Sequence, residues 1–391
     1  MEHYFQRYDV DYSTITYRYF LALGFWLEFF SKNSIDYIFS GWIEHGSIFD
    51  SLVMDVAKFK GIQVYKFEFS TGIKNYMLNH IFDYNKRKIV NLNELNFKEE
   101  KDINLNNYAT LLNKSTKIGF KNPFLYFLKT RIFTLPGVFE NIIRNYKLDY
   151  KRAKKYANIY RLNRPQIFKF SNYVARLTKF YRFISSKPNM NENYIYYALH
   201  QEPEASFMAR SVLNSQLFII YMLASSLPKG YKLYVKEHPA QFFVYEKARY
   251  FLCNIDFYRT PLFYTQIKDM PNVVLCDMNT NSWDLINNSK AVASIAGSTL
   301  IEGIRANKPI LNFGEDKLSF TGLLKDCFNV NSRKSLQKAL QSIEKGFMPD
   351  YSDLASVIKN YVFLHTEKQN LEFEKKKVKL VLSLLEKKND L

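Results

Sequence analysis

The sequence predicts an α/β protein of two domains, each an open parallel sheet covered by helices, facing each other across a cleft. Three observations carry this. Helical and strand-like segments alternate over the first 70 residues, and a second, more regular alternation begins after residue 190. The chain has 391 residues, 47% of them hydrophobic, which is ample for two cores. A polar, Ser/Pro/Asn-rich stretch, "SSKPNMNEN" at 185–193, separates the two series and reads as the linker.

In the first series the spacing predicts a helix over "YRYFLALGFWLEFFSKN", a strand at "DYIFS", a loop "GWIEHG", a helix over "SIFDSLVMDVAKFKG" and a strand at "IQVYKFEF". Residues 85–110 are rich in Asn, Lys and Glu and read as a surface excursion, followed by a basic segment of helical spacing. In the second series, strand "YIYYALH" leads through "QEPEAS" to a helix at about 211–226 and then to "YKLYVKEHP". Strand "NVVLCD", helix "SWDLINNS", strand "AVASIAG", helix "TLIEGIRAN" and strand "PILNFG" follow. From about 335 the chain reads as helical. The expected domains are therefore 1–190 with a basic helical insertion, 191–345, and terminal helices over 346–391.

Composition narrows the function classes. The formal charge is +18, and residues 111–190 hold 18 Lys and Arg against only Glu140 and Asp149. Aromatics are interleaved with these basic residues, which suits an anionic partner such as lipid headgroups, a polyanionic glycan or nucleic acid; a solvated helical face with inward-packed aromatics fits the same pattern. Cys253, Cys276 and Cys327 have no paired spacing, so buried thiols in a reducing cytoplasm are expected rather than a disulfide or a metal site. The apolar runs are too short to span a bilayer and the N-terminus lacks the pattern of a secretion signal.

In an open α/β sheet, ligands bind beyond the carboxyl ends of the strands. His238 stands there, with Pro239 restricting its backbone to an extended form, and Lys236 just before it. An imidazole so placed can donate to a phosphate oxygen, or serve as a structural loop histidine. In "ASIAGSTLIEG", Gly297 is the turn between a strand and a helix that Ser298 and Thr299 open, a geometry that gathers N–H groups and hydroxyls around an anion. Thr299 and Glu302 also match a capping box, so Glu302 has two readings, cap and ligand.

Together "YALHQEPEAS", "LPKGYKLYVKEHPAQ", "NVVLCD" and "SWDLINNSKAVASIAGSTLIEGIRANKPILNFG" resemble the capsule polysaccharide biosynthesis family. That family includes bacterial capsule Kdo transferases and is similar in logic to sialyl- and polysialyltransferases with an HP motif. The resemblance spans 194–314, is loose over 35–70 and is absent from 71–190. It implies a GT-B glycosyltransferase with two Rossmann-like domains, no cofactor or metal, and a nucleotide-sugar donor as substrate. It further implies that His238 with Pro239, and Gly297, Ser298 and Thr299, hold the donor phosphate, and that Glu302 reaches the ribose. Glu204 is a candidate for the nucleotide or sugar pocket, with a ligand-free loop carboxylate as the other reading. For an inverting reaction the loop "GWIEHG" corresponds to the relatives' acidic motif, making Glu44 the candidate base. His45 stands where those relatives have a second acid and is the alternative. Glu44 also fits as a carboxylate at a helix N-terminus.

The HP motif favours a CMP-activated sugar, though no residue excludes UDP or GDP. The expected acceptor is a growing surface polysaccharide or lipid-linked glycan at the cytoplasmic face of the inner membrane, reached through 111–190. A teichoic-acid-type glycerol- or ribitol-phosphate transferase shares the scaffold and the histidine before proline, but such enzymes show an Asp-Tyr-Ser-Ser element where this chain has "IAGSTLIEG". A nucleic-acid-binding protein would need the basic segment and would leave the strand-end motifs without a use.

Overall fold

The structure, a computed structural model, describes residues 12–41, 48–73, 76–95, 164–202, 211–242, 258–314, 319–366 and 370–389. Glu44, His45, Glu204, Cys253 and the basic stretch 111–163 lie outside the described residues.

The chain begins with helix α1 (Tyr12–Lys32), strand β1 (Tyr37–Gly41), helix α2 (Ile48–Phe59) and strand β2 (Gln63–Ile73). Ala22 of α1 and Leu52 and Val56 of α2 share one small core. Gly61, at φ 79°, ends the second helix in the left-handed conformation that glycine adopts without steric cost. β1 and β2 pair in parallel as the βα rhythm predicts, from Tyr37↔Gln63 to Gly41↔Phe67.

Beyond that point the expected all-parallel first sheet is corrected. Strand β3 (Tyr76–Asp83) runs antiparallel to β2, and a short β4 (Lys88–Ile89) is antiparallel to β3. The reason is chain length: only residues 74 and 75 separate β2 from β3, whereas a parallel crossover needs a dozen or more residues. On this hairpin the buried Lys66 Nζ lies 3.2 Å from Glu68 Oε1, and His80 sits opposite Glu68 in register.

The second sheet has the predicted parallel character. Helix α3 (Arg164–Ile184) precedes β5 (Asn193–Ala198), α4 (Gln216–Ala224) and β6 (Tyr231–Lys236). Then come α5 (Pro261–Lys268), β7 (Val273–Leu275), α6 (Ser282–Asn288), β8 (Ala291–Ser294) and α7 (Ser298–Arg305). β9 (Ile310–Asn312), β10 (Cys327–Asn329) and α8 (Arg333–Glu344) complete the unit. Side-chain caps fix the helix starts: Ser215, Thr260 and Asn281 each accept from a backbone N–H one turn in, and Ser332 with Ser335 forms a capping box.

Its six strands lie in the order β10-β9-β8-β5-β6-β7, every pair parallel. From β5 the chain steps one way to β7, then returns to β8 on the other side of β5 and steps away to β10. This is the doubly wound order, and it opens a crevice between the ends of β5 and β8. One face packs on α3, α4, α5 and α8 through residues such as Leu177, Tyr181, Ile219 and Leu340. The opposite face packs on α6 through Tyr194, Tyr196, Tyr234 and Leu285. The polar stretch 185–193 therefore follows a helix that belongs by packing to the second sheet. Ser186 even bridges to Cys276 beside β7.

The segment read as terminal helices contains α9 (Leu354–Tyr361), a strand β11 (Phe363–Thr366) and α10 (Asn370–Asn389). β11 pairs antiparallel with β3, so the C-terminal segment closes the first sheet, and Leu380 and Leu384 of α10 pack on Phe67, Ile81 and Phe363. A separate cluster joins Leu78 of β3 to Leu300 and Ile304 of α7 and to Ile358 of α9.

Gly303 is the closest approach of α7 to the sheet. A Cβ there would sit 2.9 Å from Ile310 Cγ2 and 3.2 Å from Val292 Cβ. Gly303→Ala is expected to cost about 1–3 kcal/mol through overpacking. Chemical denaturation checks this, and an unchanged midpoint would mean that α7 shifts without penalty.

Candidate functional site

The site forms where β5, β6 and β8 end side by side. Alternation along β6 sorts its last residues. Leu233 and Val235 enter the core on the α3–α4–α5 side, and Tyr234 enters the α6 side. Lys236 follows Tyr234, and its Nζ donates to Ser282 Oγ at the start of α6, 2.9 Å away. Glu237 follows Val235 to the other side and is fully buried. His238 emerges at the rim, exposed.

Glu237 explains why the strand ends in "KEHP". Its Oε2 accepts from Arg259 Nε at 2.6 Å and from the Tyr264 hydroxyl at 2.7 Å, while its Oε1 accepts from the backbone N–H of His238 at 2.7 Å. Arg259, with no exposed surface, also bonds the Glu202 carboxylate, donates to the His200 carbonyl at 2.8 Å and stacks over Phe263. Burial alone would lower the Arg259 pKa, but Glu237 and Glu202 more than offset this and raise it. Burial also raises the Glu202 pKa, against the pull of Arg259. Two amides brace the same loops: Gln241 exchanges hydrogen bonds with the Glu202 backbone, and Gln216 with the His200 backbone.

His200 ends β5, beside the chain reversal. Its Nε2 lies 3.0 Å from Ala296 N and 2.5 Å from Ala296 O, at the turn leaving β8. Gly297 is required twice over: its φ is 96°, and a Cβ there would come within 3.0 Å of His200 Cε1. Burial, then the nearby His238, push the His200 pKa down to about 4, so the ring is neutral at pH 7.

A neutral buried histidine makes folding pH-dependent with a definite sign. Below its ordinary pKa of 6.5 the unfolded chain binds a proton that the folded chain does not, so stability falls as pH falls toward 4. By pH 5 the expected loss is on the order of 2 kcal/mol. The melting temperature should drop more between pH 7 and pH 5 in the wild type than in His200→Gln, and parallel profiles would remove His200 as the cause.

Gly297 is the cap of α7, with no side-chain capping bond. The capping-box reading of Thr299 and Glu302 is thereby corrected: the helix starts at Ser298, and its cap is Gly297, which has no side chain to accept from the first turn. The first N–H groups of α7 stand at the rim beside exposed Ser298 and half-buried Thr299. Glu302 lies on the α6 side, its pKa raised by burial and lowered in part by Arg305 and Lys236. Burial lowers the Lys236 pKa, while Cys276, Asp277 and Glu302 act in the opposite sense. Lys236 thus clusters with Ser282 and Glu302 on the α6 side, where Arg305 stacks on Trp283 at 4.3 Å.

The structure places Gly297, Ser298 and Thr299 at the rim with His200 against Gly297 and His238 near His200, and brings Lys236 and Glu302 together on the α6 side. Pro239 opens a short turn, Pro239–Phe242, whose Gln241 braces the site. Sequence reasoning missed His200, Glu202, Glu237 and Arg259. Two signals were present: "YALH" and "VKEH" are apolar strands that both end in histidine, and Glu237 is a carboxylate at the exit of a buried strand. Among the described residues no group of three or more His, Cys, Asp or Glu could hold a metal ion.

No protein-family model and no curated protein matches the chain. Among solved structures it is similar to Thermosulfurimonas dismutans KpsC, beta Kdo 2,7 transferase, at 13% identity over 85% of this chain and 87% of that one, with a TM-score of 0.32. The beta Kdo 2,4 transferase of the same KpsC is similar at 13% identity over 49% and 63%, TM-score 0.24. The UDP-GlcNAc 2-epimerase from Methanocaldococcus jannaschii is similar at 12% identity over 88% and 80%, TM-score 0.29. At these values none of the three assigns a substrate or a reaction to this chain.

Proposed function

We propose that this chain is a metal-independent, inverting GT-B glycosyltransferase that moves a sugar from a nucleotide-activated donor, preferentially a CMP-sugar, to a growing surface polysaccharide or lipid-linked glycan. The observation that supports it is the convergence of His238, the Gly297–Ser298 turn and the N-terminus of α7 at the reversal point of a doubly wound sheet, the crevice where such sheets bind ligands. Negative charge builds on a phosphate oxygen as the sugar leaves. The imidazole, the hydroxyls of Ser298 and Thr299 and the N–H groups of α7 stabilise that charge in place of a metal. Lys236 and Glu302 sit behind the phosphate position, where Glu302 receives the ribose hydroxyls, and Glu204 contributes to the same nucleotide pocket. Glu44 takes the acceptor proton, with His45 as the alternative base. The basic segment 111–190 holds the protein to the inner face of the cytoplasmic membrane, where lipid-linked acceptors reside.

A thermal-shift panel with CMP, UMP, UDP and GDP tests the reading, because a ligand that binds only the native state raises the melting temperature. CMP is expected to give the largest rise. A larger rise with UDP or GDP would reassign the donor. No rise with any nucleotide would remove the transferase reading.

A further inference from the structure

The two faces of the second sheet differ in charge. On one face sit α3, α4, α5 and α8, and α3 carries five Lys and Arg with no acid while α8 carries three against Glu344 alone. On the other face α6 and α7 carry Asp284 and Glu302 against Arg305. The positive excess of these helices is therefore local to one side. Apolar exposure follows the same division. Phe183 of α3 is 85% exposed, Phe218 and Tyr221 of α4 51 and 59%, and Leu262 of α5 64%. No apolar side chain of α6 or α7 is exposed. Phe218 and Tyr221 lie one turn apart on the outward side of α4, a helix without a charged residue. α5 packs on both α3 and α4, and α8 lies toward β10, so uncharged α4 has a basic helix to either side. Isolated exposed apolar residues need no explanation, but apolar and cationic exposure gathered on one face marks a contact surface.

An apolar middle with basic flanks decides what the contact is. A second copy would bring the same positive excess to the interface. A nucleic acid is held by donors to its phosphates, and the middle of this surface presents Phe218 and Tyr221 on a helix with no cation. An anionic bilayer takes both parts, aromatic side chains at headgroup depth and cations at the lipid phosphates. We infer that the face built by α3, α4, α5 and α8 lies on an anionic membrane, with Phe183, Phe218, Tyr221 and Leu262 in the headgroup layer and the exposed cations of α3 and α8 on lipid phosphates. The inference rests on the membrane contact proposed above and names its surface. Because α4, α5 and α8 lie outside 111–190, the contact extends beyond the basic segment. Lys236 and Glu302, on the α6 side, are turned away from the lipid.

The test uses the full-length chain and a local reporter. Against the background of the three native tryptophans, Phe218→Trp is expected to add blue-shifted emission with phosphatidylglycerol-containing vesicles and quenching by brominated acyl chains, with neither change on pure phosphatidylcholine. A Phe218→Ser/Tyr221→Ser/Leu262→Ser variant is expected to lose about tenfold or more in partition into the same vesicles. Its melting temperature should stay near that of the wild type, since each of these side chains is more than half exposed. A further variant, with the Lys and Arg of 111–163 changed to Gln, separates this face from the rest of the basic segment. If that variant loses all vesicle binding while the reporter at 218 never moves in the otherwise wild-type chain, the inference fails and the membrane contact proposed above stands. If the wild type binds no anionic vesicle at low salt, both fail. A reporter shift with duplex DNA and none with vesicles, or a shift with protein concentration alone beside a dimer in sedimentation velocity, gives the face another occupant and overturns the inference. Should the triple variant melt early, the reporter result alone decides. Nucleotide-induced melting shifts on the same variants report on the transferase reading separately.

Discussion

Arg259→Ala is expected to destabilise the protein by about 3–5 kcal/mol, the cost of breaking a buried ion pair from one side. Truncation removes the cation that bonds both buried carboxylates and leaves Glu237 buried without its charge partner. The comparison that isolates charge from volume is Arg259→Met beside the triple variant Arg259→Met/Glu202→Gln/Glu237→Gln. Removing all three charges should recover much of the loss, since well-packed neutral replacements of buried ionic networks are often tolerated. Denaturant midpoints at pH 7 measure both. A midpoint for Arg259→Ala close to the wild type would mean that water reaches the carboxylates and that the network does not brace the rim.

What was legible in the sequence follows from which physical signal each element carries. The second sheet was readable because its strands are buried on both faces, so apolar runs mark them from Tyr194 to Phe313, and Gly230 and Gly297 mark two of the turns. The rim residues His238 and Gly297 were readable for the same reason, since they fall where those runs stop. Strand β2 was legible as "IQVYKFEF", but its antiparallel partner β3 and the strand β11 were not. Asn79 and His80 are polar yet buried, which breaks the apolar pattern of β3, and Phe363–Thr366 pairs with a strand nearly 300 residues away, which no local window contains. Arg259 and Glu202 were missed on similar grounds. Each reads alone as a surface charge, and only the fold brings them into contact.

His238→Ala is expected to lower the transfer rate about a hundredfold or more while leaving the melting temperature near that of the wild type. The two halves of this result have separate structural causes. The bond that anchors the residue is made by its backbone N–H to Glu237 Oε1, and its carbonyl accepts from Gln241 N at 2.8 Å, so an alanine keeps both. What alanine removes is an exposed imidazole near His200 and, in the proposed reaction, one donor to the leaving phosphate. Loss of a donor whose bond strengthens in the transition state acts on turnover more than on ground-state binding, so nucleotide affinity should fall less than the rate. The measurement is steady-state release of nucleotide from the donor that the thermal-shift panel selects, beside nucleotide affinity and melting for the same variant. Wild-type turnover would leave His238 as a loop residue and move the phosphate contact to Ser298 and Thr299. Loss of rate together with a large fall in melting temperature would show instead that the imidazole braces the turn between β6 and the segment that follows.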